Sequence, residues 1–309
     1  MALIMSTANL QKLVTPIVTD VLDGKYQQRT DEWKSFMKEI TGMPYDFHQL
    51  SVMSGFGNAV LKNPGQTTSY DQAQFLYTVQ MYYQTYALAF ALTKEMIDDS
   101  KVNVDTIKLF SEQLVMSLLE NREIITANVL NTGFNPLVTQ GGGGDGQPLF
   151  SANHPSAGGA PNRSNILLTP AVLSQTSLEQ MLINISQAKD AKGKFIRLTP
   201  EYLIIPPALA FQARTILGSE LRSDTANNSI NALKGHIKDY RVVTRLTSPS
   251  AYFMTTQGYN DLGVVLVRRE APATAKEGDF DTDSLRFKIR ERFSVGWGDF
   301  NAMWGTTGI

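Results

Sequence analysis

One stretch constrains this chain more than any other: Asn103 to Gly133, NVDTIKLFSEQLVMSLLENREIITANVLNTG. Ile107, Phe110, Leu114, Leu118, Ile125 and Val129 recur at steps of three, four and their sums, which places them on one side of a helix. Asn103 or Asp105 can cap its start by accepting from an orphan backbone N–H. Asn131-Thr132-Gly133 supplies the stop, with Gly133 free to turn left-handed. No proline interrupts the run. About 28 residues at about 1.5 Å each give a rod of about 42 Å, against a mean helix of about 11–12 residues. Leu109, Met116 and Ala127 share the opposite side with Gln113, Glu120 and Glu123. A helix with a second, weaker apolar strip often contacts more than its own core, although a long core helix of an ordinary domain is the plainest alternative.

Composition narrows the function classes. The chain has 309 residues, enough for one large or two medium domains, and its hydrophobic (42%) and charged (18%) fractions are those of a folded, soluble protein. A net charge of −1 announces no basic nucleic-acid binder. The absence of cysteine removes disulfides, thiolate chemistry and Cys-type zinc sites. The N-terminus MALIMSTANLQKL makes a poor signal peptide, and no window approaches 18 uninterrupted apolar residues, so no membrane span is expected.

In chain order, residues 1 to about 40 read as a loosely patterned arm, part helical and part extended, or equally as a simple N-terminal helix docked on its own domain. Leu10, Leu13, Val14, Ile17, Val18, Val21 and Leu22 form its apolar face, and Tyr26, Trp33 and Phe36 its anchors. Residues 50–93 read as a long hairpin. Its first strand is expected over Ser51–Leu61 and its second over Gln74–Leu92, which is dense in β-branched and aromatic residues. Both side-chain files of the second strand carry bulk, and a helix over Tyr82–Met96 competes with it. Pro64-Gly65 marks the turn between the strands. Such a hairpin has too little core to stand alone and is expected to lie on a neighbouring subunit.

After the long helix, Gly141–Gly144, Gly146, Gly158 and Gly159 mark a loop with a short β excursion near Pro148–Phe150. A second helix follows, with Leu178, Met181, Leu182, Ile185 and Ala188 on its face, Thr176 as cap and Gly193 beyond its end. YLIIPP reads as a strand stopped by Pro206-Pro207, and PALAFQARTILGS as a helix. DYRVVTRLTSPSAYFMTTQ and LGVVLVRREAP carry two strand signals. In the tail, Leu285, Phe287 and Ile289 alternate with Arg286, Lys288 and Arg290, as in a half-buried strand.

The chain offers no catalytic, cofactor-binding or metal site. GGGGDG lacks the Gly-Lys-Ser/Thr of a phosphate loop and runs into Gln147-Pro148, and no strand leads into it as a dinucleotide fold requires. His48, His154 and His236 are the only histidines, and no two are spaced as a helical metal pair. For His154, a local turn hydrogen bond is the plain reading. Asp279, Asp281 and Asp283 alternate as in a calcium loop, yet Ser284 and Arg290 stand where that loop needs Gly and Glu. No G-x-S-x-G elbow occurs, and pairs such as Asp98-Asp99 are too common to indicate acid–base work.

In their order along the chain, several stretches resemble major capsid proteins of tailed phages with the HK97 fold, and among them the major head subunits of Mu-like phages. GFGNAVLKNPG and FLYTVQMYYQTYALAFALTKEMIDD are similar to the extended loop and its return, and Asn103–Gly133 to the spine helix. DGQPLFSANHPSAGG resembles a loop of the Mu-like branch, EYLIIPPALAFQARTIL the strand–proline–helix unit of the axial domain, and RFKIRERFSVGWGDFNAMWGTTG the terminal strands. The resemblance implies an α+β fold. Its parts are an N-terminal arm (1–45), an extended β-hairpin loop (46–95), a peripheral domain (96–168 and 278–309, with the spine helix at 103–132) and an axial domain (169–277). It implies a non-enzymatic subunit that assembles with itself into hexamers and pentamers, without cofactor or membrane. The shell would enclose double-stranded DNA by non-specific contact, with portal, scaffolding and possible decoration proteins as further partners, in a virion assembled in the bacterial cytoplasm. Any scaffold is expected to be a separate protein or already removed. Some members of the fold cross-link; Lys62 and Asn63 lie in the loop, but no partner position matches. An encapsulin-like compartment with a cargo enzyme is the alternative within the fold, and a soluble hydrolase the alternative outside it.

Overall fold

The computed structural model describes residues 31–42, 44–93, 104–135, 144–219, 231–257, 262–279 and 284–308, with backbone alone over 104–108. Most of the N-terminal arm, Asn103, Gly141–Gly143, Asp98-Asp99, Asp281 and Asp283 lie outside them. The strands are β1 (Lys38–Thr41), β2 (Phe47–Met53), β3 (Phe75–Tyr82), β4 (Gln84–Leu92), β5 (Thr199–Ile205), β6 (Asp239–Val242), β7 (Tyr252–Gln257), β8 (Val264–Gly278), β9 (Leu285–Trp297) and β10 (Met303–Thr306). The helices are α1 (Val104–Asn131), α2 (Gln175–Ser186) and α3 (Ala210–Gly218). The described residues fall into two compact units. One holds Asp31, 83–125 and 268–293; the other holds 32–82, 126–267 and 294–308.

In the first unit, β9 lies between β8 and β4. Strand β4 pairs antiparallel with β9, from Gln84 opposite Phe293 to Leu92 opposite Leu285. The alternation read in the tail is seen here: Leu285, Phe287 and Ile289 are buried, while Arg286, Lys288 and Arg290 are exposed. Helix α1 covers the apolar side. Its Leu114, Val115, Leu118 and Leu119 pack with Ile289, Tyr86 and Phe90. The weaker strip on its far side is also visible, since Leu109 and Met116 are exposed, whereas Ala127 is buried. The packed side also buries charge, at a position four residues after Leu118 and three before Ile125. Arg122 is fully buried, 3.2 Å from Glu291 and 3.4 Å from Asp31. Burial pushes the Glu291 carboxyl above its usual range, against the pull of Arg122.

The second unit is built on a sheet ordered β10–β7–β5–β6. Strand β6 runs parallel to β5, while β7 is antiparallel to both β5 and β10. The segment expected as one strand, DYRVVTRLTSPSAYFMTTQ, is two. Thr247-Ser248-Pro249 breaks it, and the halves lie on opposite sides of β5. Leu178, Met181 and Ile185 of α2 meet Leu203, Ile205, Tyr252, Met254 and Trp304 in the core, with Leu182 and Ala188 beside them. The cap of α2 is Ser174, not Thr176. Its hydroxyl accepts from the Ser177 N–H at 3.1 Å, and Ser177 Oγ accepts from the Ser174 N–H at 2.9 Å, a reciprocal capping box. The helix after Pro206 begins with a single 3₁₀ turn, Pro207–Leu209.

Two backbone expectations change. Gly133 ends the long helix without turning left-handed. A Cβ there would sit 2.7 Å from the Phe150 ring, so close approach is what requires glycine. Phe150 in turn packs tilted on Phe134 and stacks with Phe253, at centroid distances of 4.8 and 5.0 Å. The β excursion near Pro148–Phe150 is absent as a strand. Leu149 and Phe150 are buried in a bend, and the local bridge lies instead at His154 and Arg163.

Candidate assembly surface

The hairpin differs from its expected form in a way that separates anchor from tip. Strand β2 begins and ends earlier than Ser51–Leu61, and the long second strand breaks at Tyr83. Only β3 pairs with β2, while β4 belongs to the β9 sheet. Nor do both files of β3 behave alike. Tyr77, Val79 and Met81 are buried; Thr78, Gln80 and Tyr82 are exposed. Strand alternation therefore wins over the bulk of the outer file. The buried file is held within its own unit: the Tyr77 hydroxyl donates to the Gly298 carbonyl at 2.9 Å. Gly144 lies so close to this file that a Cβ would fall 2.7 Å from Tyr77 and 2.9 Å from Val79. The glycine run thus meets a packing requirement at this end.

Beyond this anchor, residues 54–74 form no ladder. Their apolar side chains point into solvent: Tyr70 is 95% exposed, Leu61 85% and Val60 73%, with Phe56 also exposed. The loop is nevertheless shaped from within. At its base, Ser54 and Gln74 exchange two hydrogen bonds of 2.9 Å. Midway, the Gly57 N–H donates to Asp71 Oδ2 at 2.5 Å. At the tip, the Gln66 N–H donates to the Asn63 carbonyl at 3.1 Å around Pro64-Gly65, where Gly65 has φ +84°. That is the turn predicted for Pro followed by Gly.

The residues weighed for chemistry do not converge. His48 is buried in β2, where burial lowers its pKa, and its Nδ1 makes no hydrogen bond. His236 is exposed. Asp279 pairs with Arg286, and its N–H donates to the Ser284 carbonyl at 2.9 Å. Among the described residues, no cluster of three or more His, Asp or Glu is placed to hold a metal, and no helix is long and apolar enough to cross a membrane.

His154 makes more than a local turn bond. It is fully buried, with Nδ1 2.6 Å from Asp145 Oδ2 and Nε2 3.3 Å from Asn165 Oδ1. Its ring stacks on Phe300 at 3.6 Å and meets Trp297 edge-on. The Asn165 amide donates to the carbonyls of Leu149, Phe300 and Met303, and its oxygen accepts from the Ser151 N–H. Beside it, Asp299 accepts from the N–H and the amide of Asn301, while burial pushes its carboxyl upward. These groups fasten the 144–168 loop to the last strands. Sequence reading missed Asn165, and only the polar density of NRSN beside apolar ILL signalled it.

A shaped loop that presents apolar side chains to solvent on a mixed fold is what a self-associating structural protein offers its copies. Solved capsid proteins share this α+β, HK97-like fold. The chain superposes on a protein of Microbacterium phage Oxtober96 with a TM-score of 0.55 at 9% identity, over 91% of this chain and 92% of the other. The capsid protein of Ralstonia phage GP4 gives 0.55 at 11% identity, over 91% and 88%. That of the bacteriophage JBD30 procapsid gives 0.52 at 11% identity, over 99% and 77%. The family model described as phage capsid protein matches residues 79–305, and the chain belongs to that family. Among curated proteins, none matches it by sequence.

Proposed function

We propose that this chain is the major head subunit of a tailed phage of the Mu-like branch, and that its copies form the hexamers and pentamers of an icosahedral shell around double-stranded DNA. The exposure of Phe56, Val60, Leu61 and Tyr70 on one shaped loop is the observation that carries the proposal. Apolar side chains exposed together on one loop call for a cover, and further copies supply it in a shell. The exposed Leu109, Met116 and Ile124 of α1 are further apolar surface for the same purpose. In domain terms, 1–45 is the arm, 46–95 the extended loop, 169–277 the axial domain, and 96–168 with 278–309 the peripheral domain, which lends β10 to the axial sheet. The Mu-like assignment rests on DGQPLFSANHPSAGG, whose Asp145 and His154 form the buried pair.

A near-neutral chain suits DNA that is confined and not read. Portal, scaffolding and decoration proteins complete the particle, which is assembled in the host cytoplasm. Expression of the chain with its neighbouring head genes, followed by electron microscopy and nuclease protection of the contents, tests the proposal. Closed shells that package protected DNA are expected. Shells that instead hold a protein cargo would indicate a compartment.

A further inference from the structure

Among the described residues, Lys192 is the one side chain from another element that bonds to the 54–74 loop. It lies on a tight turn after α2. The Asp190 carboxylate accepts from the N–H groups of both Lys192 and Lys194 at 2.9 Å. The Asp190 N–H donates to the Lys194 carbonyl at 2.7 Å, and Gly193 has φ +82°. A two-sided backbone bridge, Lys189 with Phe195, closes the turn below. This turn holds the lysine stem, leaving the side chain only 18% exposed.

From there Lys192 Nζ donates to Asp71 Oδ1 at 2.8 Å, to Asp71 Oδ2 at 2.7 Å and to the Gln72 carbonyl at 2.8 Å. All three donors of the ammonium are used. The same carboxylate accepts the Gly57 N–H from the outgoing limb of the loop and the Gln72 N–H from the returning limb. Asp71 therefore ties the two limbs to each other, and Lys192 ties both to the folded body. An isolated exposed ion pair contributes little to stability. Here, though, five hydrogen bonds meet on two adjacent residues of a segment without a ladder of its own, so the effect falls on where the loop points.

We propose that Lys192 is a positioning residue for assembly: its clasp on Asp71 and Gln72 fixes the path along which the loop presents Phe56, Val60, Leu61 and Tyr70 to the next copy. This rests on the shell reading above for its consequence, but not for the clasp itself.

The test uses the full chain with Lys192→Gln and Lys192→Arg, and two readouts. The first is amide hydrogen exchange of the unassembled protein. In Lys192→Gln, exchange across 54–74 should rise severalfold while α2 and β5 stay as in the wild type and the melting temperature holds. Lys192→Arg should restore most of the protection. The second is the rate of shell formation by light scattering, which should fall in Lys192→Gln and recover in Lys192→Arg. Unchanged loop exchange in Lys192→Gln would overturn the clasp. A loosened loop with an unchanged assembly rate would overturn its positioning role. A wild-type chain that forms no shells while its loop stays protected would overturn the shell reading, and the assembly role with it.

Discussion

At the scale of single residues, buried charge and close approach govern. Arg122, Asp31 and Glu291 are all buried, and Arg122 lies between the two carboxylates. Arg122→Met leaves them without this cation, and loss of one partner of a buried pair costs about 3–5 kcal/mol; urea unfolding of the unassembled chain should show a loss of that order. The pH response has a definite sign. Glu291 is raised in the folded chain, so the folded state holds its proton more tightly than the unfolded state does. Its contribution is fullest below the unfolded value of about 4.3 and is lost as pH rises through the raised value. The fall in urea midpoint above about pH 4 should therefore be shallower in Glu291→Gln, with Asp299, raised in the same direction, supplying part of the remainder. Gly133→Ala should cost about 1–3 kcal/mol by overpacking, because the new methyl meets the Phe150 ring.

At the scale of elements, α1 and the extended loop predict opposite kinds of damage. Leu118 is buried against the β4–β9 sheet. Leu118→Asp places a charge there without a partner, and circular dichroism should show loss of fold along with loss of assembly. Deleting about residues 62–73 removes the exposed tip and Asp71 but leaves β2, β3 and their buried file; the melting curve should persist while shell yield collapses. Unchanged shell yield would contradict the role given to the loop. The long helix was legible from its spacing, and β9 from its alternation, because one side of each is buried. The break at Tyr83 was not legible, because QMYYQTY has strand propensity throughout and only hydrogen-bond partners distinguish β3 from β4. The same limit applies to Ser174, where both Ser174 and Thr176 have capping hydroxyls and the Ser177 hydroxyl decides. Lys192 and Asp71 lie 121 positions apart, a separation at which no periodicity connects them.

At the scale of the whole molecule, the chain combines well-packed cores with apolar surface that its own described residues leave in solvent. The family match over 79–305 makes the chain a phage capsid protein, and the superpositions on phage capsid proteins show the same fold. Association should be driven by apolar burial, so assembly is expected to weaken on cooling, and light scattering at two temperatures would check that dependence. The most direct measurement is electron microscopy of the purified chain at high concentration, together with its cognate assembly proteins. Closed shells built from hexamers and pentamers are the predicted result. A protein that stays monomeric under those conditions would contradict it.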